Sequence, residues 1–161
     1  MKKAVIDKIN EQINKEYYSA YLYLKMSVVM EEEKKPGYAN WLFHQYKEEL
    51  EHAEDFVRFL QKRGVAPVLE TIEATDVNER KPLEIARRVL AHEVAVSESI
   101  YELWKIAADK EDYPAVRFAQ KYVDEQVEEE EHAQAILDMY ELAGDNLSAQ
   151  LFVDGQLGAR K

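Results

Sequence analysis

The chain reads as an all-α protein: a four-helix bundle with a long crossover between its second and third helices, and a short fifth helix after the bundle. Three observations predict this. Apolar residues recur every three or four positions through four long stretches. The five glycines and four prolines punctuate the chain rather than interrupt those stretches. No run rich in Val, Thr and Ile alternates with polar residues as a half-buried strand would.

The first helix follows from Ile6, Ile9, Ile13, Ala20, Tyr23, Ser27 and Met30; it should cover roughly residues 3–33 and close at the turn KKPG, 34–37. Leu42, Tyr46, Ala53, Phe56 and Leu60 carry the second. It should end where Lys62 and Arg63 suit the negative helix terminus and Gly64 can turn left-handed. Residues 65–81, VAPVLETIEATDVNERK, keep no period and contain Pro67. Extended at about 3.3 Å per residue, that segment can cross the ~40 Å length of such a helix.

Pro82 suits the first turn of the third helix, whose stripe is Ala86, Val89, Val96, Ile100, Leu103 and Ala107. The fourth opens at Pro114, shows Ala119, Tyr122, Ala133, Ile136 and Tyr140, and stops at AGDN, 143–146. The tail forms the fifth helix, about 147–158, with Ser148 as its expected cap. The whole chain, 1–161, is expected to be one domain, with the bundle at about 3–143.

Composition narrows the function. Hydrophobic residues make up 47% and charged ones 33%, as in a folded protein. With 21 Lys+Arg against 32 Asp+Glu the net charge is −11, which argues against nucleic acid or an anionic membrane surface as partner and suits cations. Absence of cysteine removes disulfides, thiolate zinc sites and a catalytic thiol. Charged residues interrupt the opening MKKAVIDKINEQINKEYY, unlike a signal peptide, and no apolar run approaches the ~20 residues of a membrane span. A soluble, cytoplasmic protein is expected.

Each apolar stripe is broken near its middle by polar residues: Glu16 in the first helix, Glu49 and His52 in the second, Glu93 in the third, Gln126 and Glu129 in the fourth. Any one of these carboxylates, taken alone, is most simply an edge residue reaching water. Their spacing is not independent. Glu16 to Glu49 and Glu93 to Gln126 both span 33 residues (49 − 16, 126 − 93), while Glu16 to His52 and Glu93 to Glu129 both span 36. The hairpins therefore repeat one pattern at a displacement of 77 (93 − 16), which also pairs Glu48 with Glu125.

With the first turn centred near Lys35, Glu16 and His52 differ by only ~3 Å in height along the bundle. Carboxylates converging in a dry interior repel one another unless cations neutralise them. Oxygen ligands with an imidazole suit iron, manganese or zinc rather than calcium.

The segments NEQINKEYYSAYLYL (10–24), KEELEHAEDF (47–56), AHE (91–93) and DYPAVRFAQKYVDEQVEEEEH (112–132) resemble those of the non-haem bacterial ferritins, in the family's order and over nearly the whole chain. The resemblance implies iron storage by a ferroxidase using dioxygen or hydrogen peroxide. Glu16 and His52 would hold the first iron, Glu49 would bridge, Glu93 would hold the second, and Glu129 would be a further ligand there. Gln126 would stand beside the second position to orient oxygen or water. A third, weaker iron would use Glu48, Glu125, Glu128 and Glu129. Tyr23 matches the tyrosine that can supply an electron; ordinary core packing is its equal alternative.

The resemblance further implies a homo-oligomeric cage of 24 subunits, with residues 147–158 at its four-fold contacts. Three points bear on details. Glu129 and His132 form a second Glu-x-x-His, as in haem-containing bacterioferritins, but the 77-residue repeat pairs His52 with Glu129. Leu50 also stands where a haem-binding methionine is expected, so no haem is predicted. Lys121 replaces a tryptophan that many relatives carry beside the centre. His44 and His92 have no partner in the repeat and are read as packing or surface residues. The rival readings are an unenclosed di-iron peroxidase, a DNA-protecting mini-ferritin and a purely structural bundle.

Overall fold

The computed structural model describes residues 1–161. Five helices form: α1 (Lys3–Glu32), α2 (Pro36–Lys62), α3 (Pro82–Asp109), α4 (Tyr113–Ala143) and α5 (Leu147–Leu157). Residues 65–80 carry no regular structure and make the crossover. The hairpin α1–α2 packs on the hairpin α3–α4, with α1 also against α3, and α5 lies across α2 and α4. No helix is long and apolar enough to cross a membrane.

The boundaries follow local chemistry. Lys34 takes φ 59°, so α1 stops one residue short of the expected end. Gly64 adopts φ 72° after α2, where the absence of Cβ makes the left-handed turn free of strain. Pro82 begins α3 as expected, whereas α4 begins at Tyr113, one residue ahead of Pro114, because Asp112 caps it by accepting the Ala115 N–H at 3.3 Å. Ser148 does not cap α5. Asn146 does, accepting the Ala149 N–H at 2.9 Å, and Gly158 falls just outside the helix.

The core is two apolar bodies rather than one. The larger gathers Tyr23, Met26, Met30, Tyr38, Leu42, Ile85 and Tyr140 with Leu157 of α5. The smaller gathers Val5, Ile9, Ile13, Phe56, Leu60, Ile100 and Tyr122. The polar residues that break the four stripes lie in the layer between them, which is why the apolar contacts divide there.

Asp154 fixes α5. Its carboxylate accepts the Gly37 N–H at 3.0 Å and the Tyr38 N–H at 2.9 Å, capping the positive end of α2. A Cβ at Gly37 would lie 1.7 Å from the Asp154 carbonyl oxygen. Gly37→Ala is therefore expected to undock α5, seen as faster amide exchange across Leu147–Leu157. Asp154→Ala should cost about 1–2 kcal/mol in a denaturation curve.

Candidate metal centre

Glu16 projects from α1, Glu49 and His52 from α2, Glu93 from α3, and Gln126 and Glu129 from α4. Three-residue spacing puts Glu49 and His52 on one face, as seven-residue spacing does for Glu16 and Tyr23. Glu16, Glu49, Glu93 and Gln126 are each no more than 4% exposed, too dry to send a charge out to water.

Glu16, Glu49 and His52 each offer a ligand atom within 4.8 Å of the others. His52 Nδ1 is 3.4 Å from Glu49 Oε2, attracted but not aligned as a hydrogen bond, and its Nε2 is 2.9 Å from Glu125 Oε1. Glu16 Oε2 and Glu49 Oε2 are buried with no hydrogen-bond partner. Two facing carboxyls of this kind need either a shared proton or a cation.

Electrostatics say which groups hold protons when no cation is there. Burial, with the Glu49 charge added, drives the Glu16 carboxyl well above its ordinary range. Burial also raises Glu49, though His52 opposes it. For His52 burial disfavours the charge, but the hydrogen bond to Glu125 and the close negative charges of Glu49 and Glu16 outweigh it and push the ring to about 11. The bond to His52 lowers Glu125.

Glu93 lies outside the triad. Tyr23 Oη donates to its Oε1, and Gln126 Nε2 donates to its Oε2 at 3.1 Å and to Ser97 Oγ at 3.2 Å. Burial, helped by the Glu129 and Glu16 charges against these two donors, raises Glu93 to about 7. Glu129 is raised by burial and accepts from Gln45 Nε2 at 2.9 Å. The second hairpin thus repeats the first with an amide donor where the first has Glu49, so its carboxylate is already satisfied.

Of the residues read as a third position, Glu48 pairs with Arg160 at 2.7 Å, Glu125 is held by His52, and Glu128 is exposed and makes no ion pair. His132 is exposed and lines a surface hollow with Trp41 and Arg160. His92, half-buried, sits edge-on to Tyr23 with Nε2 2.8 Å from Ser19 Oγ. Lys121 pairs with Asp55 at 3.1 Å and lies over the Tyr122 ring.

Sequence reading missed the residues that hold the ligands. Gln12 donates to Glu16 Oε1 at 2.6 Å and accepts from Ser99 Oγ at 2.6 Å. Gln45 likewise donates to Glu129, whereas the Ser97 hydroxyl accepts from the Gln126 amide. Their one signal was position: Gln12, Gln45 and Ser97 each stand four residues from a stripe-breaking residue, one turn along the same face.

A four-helix bundle with a long crossover and an inward Glu–Glu–His group at its midpoint is the class of the bundle carboxylate metal proteins. Comparison with known proteins agrees. The family profile for ferritin, described as a ferritin-like domain, matches residues 6–143. The bacterial non-heme ferritin of Bacteroides fragilis is 40% identical over 152 residues, covering 94% of each chain. That of Staphylococcus epidermidis is 32% identical over 160 residues, covering 99% of this chain and 96% of the relative. Among solved structures, an open-pore ferritin from the archaeon Archaeoglobus fulgidus superposes with TM-score 0.98 at 37% identity, covering 100% of this chain and 99% of that one. A closed form of that archaeal protein, engineered by mutagenesis, gives 0.97.

The chain belongs to the ferritin family, among its non-haem bacterial members. Its function is the family's, iron storage with oxidation of Fe(II).

Proposed function

We propose that the polar layer is a ferroxidase centre that takes two Fe(II) ions as substrate. Glu16 and His52 hold the first, Glu49 bridges, and Glu93 holds the second with Glu129 as a further ligand. The observation that carries this reading is the pair of buried carboxylate oxygens, Glu16 Oε2 and Glu49 Oε2, facing each other without a donor beside His52. Two dry facing carboxyls beside an imidazole, oxygen donors with one nitrogen, suit a transition-metal cation.

Metal favours the deprotonated ligands whose protons the layer retains in its absence, so binding releases protons and weakens as pH falls. Each Fe(II) gives up one electron. The two electrons and two protons convert dioxygen to hydrogen peroxide, or hydrogen peroxide to two waters. Gln126, anchored on Glu93 and Ser97, orients the oxidant or water at the second position. Tyr23, bonded to Glu93, fixes that carboxylate and stands where it can supply a further electron. A third, weaker iron occupies Glu48, Glu125, Glu128 and Glu129 on its way to the mineral.

Storage needs an enclosure. The proposed assembly is a cytoplasmic homo-oligomeric shell of 24 one-domain chains, about 450 kDa at 18.8 kDa each, without haem. Leu147, Leu151 and Phe152 on α5 are each more than half exposed, as a face awaiting its four-fold neighbours would be. Light scattering with aerobic Fe(II) loading tests both parts. A shell retaining hundreds of iron atoms is expected; a particle of one to four chains, or retention of only about two irons per chain, sinks the storage reading.

A further inference from the structure

The segment after α5 returns to the metal layer. Asn40 Nδ2 donates to the Arg160 carbonyl at 3.0 Å, fixing the backbone against α2. The Arg160 guanidinium then meets four groups of the same helix. It lies 5.0 Å over the Trp41 ring, donates to the Trp41 carbonyl at 3.3 Å and to Gln45 Oε1 at 2.6 Å, and pairs with Glu48 Oε2 at 2.7 Å. Yet its side chain keeps 24% exposure, so it can be displaced into solvent.

Gln45 extends the reach of this arginine. A Gln amide has one oxygen and one NH₂, so a guanidinium on the oxygen dictates that the NH₂ faces the other way. There it donates to Glu129 Oε2 at 2.9 Å, and Gln45 is 2% exposed.

We propose that Arg160 is a latch on the third iron position: its guanidinium occupies Glu48 directly and Glu129 through Gln45, and a metal ion reaches those carboxylates only by displacing it from Trp41. The latch rests on the reading of Glu48, Glu125, Glu128 and Glu129 as that position. The guanidinium supplies a built-in cation that competes with iron. It keeps the site weak, so that iron passes through rather than staying, and it couples occupancy to release of the 158–161 segment. No residue of the triad is touched by it.

Zn(II) is the probe, being redox-inactive and free of the optical quenching of iron. The chain has two tryptophans, so Trp104→Phe leaves Trp41 as the only one. Zn(II) titrated into this metal-free protein should leave Trp41 emission steady while the two inner positions fill, then shift it as the third fills. Arg160→Gln should abolish the shift. In calorimetry it should tighten the third Zn(II) about tenfold, the weight of a partly exposed ion pair to Glu48 with the guanidinium–amide bond to Gln45; Arg160→Lys, which keeps charge but loses the fork, should fall between.

No tightening in Arg160→Gln, read by calorimetry in the parent background as well, overturns the latch. So does an unshifted Trp41 when the third Zn(II) binds. Glu48→Gln separates the two levels. Loss of the third Zn(II) there, with no gain in Arg160→Gln, removes the latch alone, whereas an intact third Zn(II) removes the position and the latch together.

Discussion

Replacing His52 by alanine is expected to slow initial Fe(II) oxidation by roughly a hundredfold and to cost the metal-free bundle about 2–4 kcal/mol without unfolding it. Two effects combine. The ring supplies the nitrogen ligand, and in the metal-free protein it is also the cation that compensates Glu49 and Glu125. Its loss leaves two carboxylates without a counter-charge, one of them deeply buried. Glu16→Gln separates ligation from stability. Burial and the Glu49 charge push the Glu16 carboxyl toward its neutral form, which a glutamine matches in shape and lack of charge. Denaturation of the metal-free variant should match the parent within about 1 kcal/mol, while stopped-flow oxidation falls as far as in His52→Ala. Parent-like initial rates in both variants would exclude this centre.

The second large effect is the exchange of protons for metal. Glu93, raised to about 7, contributes stability that is complete below its unfolded value of 4.5 and is lost as pH rises through 7. Glu16, Glu49 and Glu129 are raised too and act in the same sense. His52, raised to about 11, contributes stability that is complete below 6.5 and is lost from there up to 11. His92 runs the other way: burial, with Arg88 adding, lowers it to about 4, so its contribution fades as pH falls from 6.5 to 4.

Above pH 6.5 every perturbed group of the layer acts in one direction. The melting temperature of metal-free protein should therefore fall steadily from about pH 6.5 to 9. Zn(II) or anaerobic Fe(II) at a hundredfold excess over its dissociation constant should raise it by about 5–10 °C, corresponding to about 2.7 kcal/mol. At one fixed metal concentration the rise should be larger at pH 8 than at pH 6, because fewer protons then compete for the ligands. A calorimetric scan in which metal leaves the melting temperature unmoved at both pH values would count against a preformed site.

Much of the bundle was legible in the sequence because helical periodicity is local: Ile6 to Met30 announce a buried face whatever that face meets. The caps were harder. Ser148 and Asn146 are both good cap residues, and the choice between them depends on where the helix axis must run for Asp154 to reach Gly37. For the metal layer, the 77-residue repeat put Glu16, Glu49, Glu93 and Gln126 on inward faces, and all four are buried. It carried no signal for Ser99, which reaches Gln12 only when α1 and α3 lie side by side.

What the sequence determined by itself was the set of helices, the crossover that lets the hairpins pack, and the polar layer across their middle. Each of these follows from which residues share a face, a property of spacing along one helix. The tertiary structure decided which carboxylates meet: Glu16 with Glu49 and His52 in one group, Glu93 with Tyr23 and Gln126 in another. It also decided which of them hold protons, and it brought Arg160 back over Trp41 and Glu48, more than 110 residues away along the chain. Those outcomes depend on heights, rotamers and burial set by packing between helices, and no spacing within a single helix encodes them.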